Sequence, residues 1–205
     1  KTDQQNELLM FIKPEVFLVV DEAKMAAAVK LVFEKIAKFN ATVAGVVIVG
    51  GKALEEKEIM NRHYGYINLI SRKASEQVND EDRATMQDLL ELASLDDHNI
   101  YGGHEFLKSH ADFTPQTLED LWATKKSLKL RSGFYLQSYQ VGDEKFILIN
   151  GFHPAQLAHF TETDRRIVLV LLHSDTDWGR LRNDMVGSTF PEKAAAGSIR
   201  GTFYA

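Results

Sequence analysis

The sequence predicts a mixed α+β fold. Three observations carry that expectation: the chain opens β-α-β-α, an alternating hairpin lies between Gly133 and Asn150, and a β/α rhythm resumes after Gly151. Residues 8–12 (LLMFI) form a short apolar run stopped by Lys13-Pro14, the pattern of a buried strand. Asp21 stands where it can cap a helix running to about residue 39. Val29, Val32, Phe33 and Ile36 of that helix fall at i, i+3, i+4 and i+7 and make one apolar stripe. Residues 42–49 (TVAGVVIV) are β-branched and end at Gly50-Gly51, which predicts a second buried strand. A helix is expected over residues 54–64.

Residues 66–150 differ in character and read as an insertion within a single domain spanning residues 1–205. There, residues 75–82 are charged and read as a solvated turn or helix start. Residues 83–94 predict a helix that buries Met86, Leu89, Leu90 and Ala93, and residues 97–103 read as a loop. Thr114-Pro115, with Glu119 following, marks a helix start. Residues 133–140 and 145–150 alternate and are joined by a turn at Val141-Gly142-Asp143-Glu144. Past the insertion, residues 154–160 read as a short helix and residues 166–172 (RIVLVLL) as the strongest strand. Residues 177–185 read as a helix leading into a final loop, whose residues 190–196 are small and flexible in composition.

Composition narrows the function. Hydrophobic residues make up 44% and charged residues 26%, as in an ordinary globular protein with a normal core. A net charge of −5 supplies no global positive field for nucleic acid or an anionic membrane, so any bound phosphate must be held by a few local cations. With no cysteine, disulfides, thiolate metal sites and cysteine nucleophiles are excluded, and a cytoplasmic location is expected. No apolar run is long enough for a membrane span, and the polar start has no signal-peptide core. Glycine-rich P-loop, Gly-x-Ser-x-Gly and Cys/His zinc patterns are missing from the sequence.

The chemistry concentrates at the end of the chain. Residues 185–191 read Met-Val-Gly-x-Thr-x-Pro, and residues 197–203 read Gly-Ser-Ile-Arg-Gly-x-Phe. That pairing resembles the nucleotide-phosphate loop of the nucleoside diphosphate kinase family. The order of elements is also similar to the family's: strand with Lys13-Pro14-Glu15, helix, strand, helix with His63-Tyr64, then strand, helix and the Thr189/Arg200 loop. Roughly 120 of the 205 residues share the likeness, in two blocks. The resemblance implies a ferredoxin-like βαββαβ sandwich carrying a helical plus β-hairpin insertion. It also implies a site for nucleoside di- and triphosphates with Mg²⁺ bound through their phosphates.

Carried onto this chain, Lys13 would contact the transferring phosphate and Tyr64 would support the site. Thr189 would donate its hydroxyl to a phosphate, Arg200 would pair with phosphate oxygens, and Arg182 would supply a further charge. Phe152 or His153 occupies the region of the ring that stacks on the base. Such a set suits phosphoryl transfer, which needs positioning and neutralised charge, with Arg as a planar fork and Lys as a point charge. Each residue also has a plainer role. Arg200 can cap a turn, Thr189 suits ordinary Thr-x-Pro turn chemistry, Lys13 can extend from a strand end into solvent, Tyr64 can be a core tyrosine, and Arg182 can face water. His104 and His110 lack a metal-ligand spacing on a helix. The run from Lys125 to Arg131 reads as a solvated face, or as a way of bringing cations to an acidic partner.

The chain departs from the family at Glu15-Val16, where the family has Asp-Gly. It departs again at Asn183, where the family has an arginine and Arg182 stands one residue earlier. The family's catalytic histidine would lie beyond Ala205, so the expectation is a trimmed chain with its last strand missing. The alternative is that something else covers the bare edge beside the first strand, either the hairpin at 133–150 or a subunit contact. Two functions follow: a phosphotransferase working through a phosphohistidine, or a catalytically inactive nucleotide-binding or protein-interaction module of the same fold. A homo-oligomer is implied by the resemblance, and the 66–150 insertion is a candidate surface for a protein partner.

Overall fold

A computed structural model describes residues 6–188 and 191–204. In chain order its elements are β1 (Asn6–Ile12), α1 (Glu22–Lys38), β2 (Thr42–Gly50), α2 (Gly51–Glu56), α3 (Ile59–His63), α4 (Gly65–Gln77) and α5 (Asp80–Leu90). There follow β3 (Asn99–Gly102), α6 (Gly103–Ser109), α7 (Pro115–Ala123), β4 (Leu128–Arg131), β5 (Phe134–Val141), β6 (Glu144–Ile149) and α8 (His153–Thr161). The chain closes with β7 (Arg166–Ser174), α9 (Trp178–Arg180), a π-helical turn (Leu181–Val186) and α10 (Ile199–Tyr204). The result is mixed α+β, with two sheets carried by two compact units: residues 1–53 with 162–205, and residues 54–161.

The first unit holds a three-stranded sheet in the order β1-β7-β2, with β7 antiparallel to both neighbours. The helix α1 connects β1 to β2, so the antiparallel β7 lies between two strands that are consecutive in sequence. Asp21 caps α1 as expected, its Oδ1 accepting from the backbone N–H groups of Ala23 (3.0 Å) and Lys24 (3.2 Å). Val32 and Ile36 then reach a core shared with Ile12, Val168, Val170, Leu172, Leu181, Met185 and Ile199.

Two expectations change here. β2 is an edge strand rather than a buried one: Val46, Val47 and Ile48 are 49%, 57% and 68% exposed. β-Branched composition specifies a strand but not its place in the sheet, and β7 took the central position. The hairpin at 133–150 does not cover β1, because it belongs to the sheet of the second unit; among the described residues no strand lies on the outer side of β1.

The second unit is built around the sheet β3-β6-β5-β4, in which β3 runs parallel to β6 and the other pairs are antiparallel. Its strand β6 is covered on both faces. Ile147 and Ile149 join Ile70, Met86 and Phe134 in one cluster, while Phe146 and Leu148 join Phe106, Leu118 and Trp122 in another. Successive strand residues point to opposite faces, so helices on both sides seal this strand.

The hairpin turn at Gly142 (φ +60°) and the Thr114 cap of α7 follow the sequence reading. The helix expected over 54–64 is broken into α2 and α3, with Glu58 in the left-handed region (φ +49°). The helix expected over 83–94 starts earlier, because Asn79 and Asp82 form a reciprocal capping box, and it ends at Glu91 (φ +55°). Residues 97–103 are not only loop: Asn99–Gly102 is the strand β3, and its backbone pairing with β6 supplies what its short sequence does not signal.

Candidate functional site

Lys13 leaves the end of β1 immediately after buried Ile12 and before buried Pro14, which opens a 3₁₀ turn (Pro14–Leu18). Its side chain is exposed, with Nζ 4.0 Å from Glu15 Oε1. Such a solvated pair contributes little to stability. Arg182 lies on the π-helical turn. Leu181 and Met185 bury themselves in the first unit's core, which leaves Arg182, Asn183 and Asp184 exposed.

Gly187, Ser198, Ile199 and Gly201 are the buried points of this segment among its described residues. Gly187 is buried with φ +94°, a conformation that glycine supplies without strain. Ser198 is fully buried and donates to Ala195 O (2.6 Å) while accepting the Gly201 N–H (3.1 Å). Arg200, half-buried on α10, donates from Nη1 to Gly187 O at 2.9 Å. From α1, Lys35 Nζ donates to Gly197 O. Ile12, Leu181, Met185 and Ile199, the buried neighbours of Lys13, Arg182 and Arg200, all belong to the same core, so three cation-bearing segments share one foundation. Thr189 lies outside the described residues.

Tyr64, Phe152 and His153 belong to the second unit, where the structure brings them together. The half-buried Tyr64 ring, at the junction of α3 and α4, lies 6.0 Å from that of His153 and 4.8 Å from that of His63. Phe152 is half-buried against Trp122 (5.8 Å) and Tyr135 (6.1 Å). His153 has no exposed surface. Its Nδ1 is 3.2 Å from Gln156 Oε1, and its Nε2 is buried without a hydrogen-bond partner among the described residues.

Next to His153, at 5.6 Å between rings, lies His104, whose Nδ1 is 2.9 Å from the Oγ of fully buried Ser71. Burial drives the His104 pKa down to about 3, with help from the positive charge of Arg72, from His153 and from Lys108. Burial also lowers His153, opposed by its bond to Gln156, and lowers His63. Both His104 and His153 are therefore neutral at physiological pH.

The sequence reading did not single out Ser71 or Ser198, and it weighed His104 only as a metal ligand. Ser71 and His104 meet across a sequence separation of 33 residues, which no local pattern marks. Ser198 does carry a local signal, a serine three residues before Gly201 at a helix start. Among the described residues no group of three metal-capable side chains assembles, and no helix is long and apolar enough to cross a membrane. Comparison with protein-family models, with curated proteins and with solved structures found no match to this chain.

Proposed function

We propose that the chain is a nucleotide-binding protein of nucleoside diphosphate kinase type, whose Gly187–Arg200 segment holds the phosphates of a nucleoside di- or triphosphate. The observation that carries this reading is the anchoring of Arg200. One arm of its guanidinium is fixed on the backbone carbonyl of buried Gly187, which is how a planar cation is prepared for bidentate phosphate recognition. The split arrangement of β1, α1 and β2 around antiparallel β7 supports a ferredoxin-like sandwich. In such a sandwich a fourth strand lies beside β1. Mg²⁺ would enter with the nucleotide and would offset part of its phosphate charge. A cytoplasmic setting, where nucleotides are abundant, suits a chain without cysteine.

In this account Lys13 and Arg200 neutralise the polyphosphate, and Thr189 and Arg182 add donors. Transfer of a γ-phosphate requires a histidine beyond Ala205. Sequencing the gene through its stop codon reads that directly, and acid-labile labelling of the extended protein by γ-³²P-ATP tests it. A longer chain with no such histidine, or one that takes no label, removes the transferase reading. The second reading, a catalytically inactive binding module, is favoured by the Lys13–Glu15 pair, which gives the phosphate-facing lysine a competing carboxylate. Binding of ADP with Mg²⁺ without turnover is its signature.

The homo-oligomer implied by the resemblance has a seam in β2. Its nine residues carry no charge, and β7 occupies one side only. An uncharged edge pairs with its own twofold copy without like-charge repulsion.

A further inference from the structure

Ser198 sits between the two backbone points that fix Arg200. Its hydroxyl accepts from Gly201 N–H at 3.1 Å, capping the first turn of α10, which carries Arg200. The same hydroxyl donates to Ala195 O at 2.6 Å, holding the loop that enters the turn. On its other side it packs against Gly187, where an added Cβ would lie 2.4 Å from Ser198 Oγ, and the Gly187 carbonyl receives Arg200 Nη1. At Gly201 an added Cβ would lie 2.1 Å from Ala195 O, so the loop has no slack there either. Only a side chain that is small and both donor and acceptor meets these demands; alanine offers neither bond, and aspartate accepts without donating.

We infer that Ser198 is a positioning residue for polyphosphate binding: its buried hydroxyl sets the place of the Arg200 guanidinium. With Nη1 committed to Gly187, the remaining guanidinium N–H groups serve ligand oxygens, and their aim depends on the turn that Ser198 caps. A misplacement of about 1 Å in such a clamp is costly for recognition. The inference rests on the phosphate-binding reading of this segment.

The test is calorimetric titration of ADP, AMP and adenosine, with Mg²⁺, into the wild type, Ser198→Ala, Ser198→Cys and Arg200→Ala, with thermal melting of each as a check on folding. The expected result is an ADP affinity about tenfold weaker in Ser198→Ala, a smaller loss for AMP and none for adenosine. Ser198→Cys, close in volume and with a weak donor, should lose less and remain folded. Should Ser198→Ala bind ADP like the wild type while Arg200→Ala binds it weakly, the positioning role is refuted and the phosphate site stands. Equal loss of all three ligands, or unfolding of both Ser198 variants, assigns Ser198 a purely structural role and also refutes it. If the wild type binds no ADP, or Arg200→Ala binds as well as the wild type, the phosphate reading itself fails.

Discussion

Acidification should weaken the second unit, and His104 makes the size of the effect calculable. In the folded chain its pKa falls to about 3, mainly through burial, against 6.5 for the ordinary imidazole. Below about pH 6.5 the unfolded chain takes up a proton that the folded chain refuses, so stability is lost as the pH falls toward the folded value. Each pH unit within that window is worth about 1.4 kcal/mol. Moving to about pH 4.5 covers two such units, and after discounting for the solvent that the ring still meets the loss is about 2 kcal/mol. The groups around the ring, Arg72 on α4, Lys108 on α6 and His153 on α8, oppose its protonation, and His153 titrates in the same direction.

Urea unfolding followed by Trp122 fluorescence reports on this unit, since that indole is nearly buried there. A Trp178→Phe background removes the second tryptophan, which is exposed in the first unit. Comparison of His104→Gln with its parent at about pH 7.5 and about pH 4.5 isolates the histidine from the carboxylates that titrate in the same range. The pH-dependent loss should be smaller in the variant by about 2 kcal/mol. Equal losses in both proteins would refute the buried, neutral assignment of His104.

Three further outcomes are expected. Gly187→Ala forces a side chain into φ +94° and against Ser198 Oγ, so thermal unfolding should show a loss of about 2–3 kcal/mol. Asn79→Ala removes the acceptor for the Asp82 N–H (2.8 Å) and should cost about 1 kcal/mol, read by urea unfolding of the second unit. Ile48→Lys places a charge on the exposed β2 edge; it should change stability by less than about 0.5 kcal/mol while shifting the sedimentation mass from oligomer to monomer. An unshifted mass would remove β2 from the subunit contact.

Elements with strong local signals were legible in the sequence. Asp21, Thr114 and Gly142 mark the start of α1, the start of α7 and the β5–β6 turn because a cap or a left-handed turn needs only neighbouring residues. What escaped depends on distant partners. The strand β3 exists through pairing with β6, 47 residues further along the chain, and β2 is exposed because β7 arrives later and takes the centre. Glu58 and Glu91 adopt left-handed conformations without the glycine that would announce a break. In the candidate site, the setting of Arg200 in Gly-Ser-Ile-Arg-Gly marks it as a phosphate-binding candidate in the sequence. Its dependence on Gly187 became apparent only once the chain had folded back over 13 residues. The Ser71–His104–His153 cluster joins three helices and has no linear trace.

Side chains from opposite ends of the chain are proposed to converge on one polyphosphate, and a double-mutant cycle on ADP affinity decides whether they do. With Mg²⁺ present, Lys13→Ala and Arg200→Ala should each weaken binding at least about tenfold. The double variant should depart from the sum of the two, as expected for charges acting on the same ligand. If the wild type does not bind ADP, or if both single variants bind it unchanged, the two residues serve no common phosphate and the account is wrong.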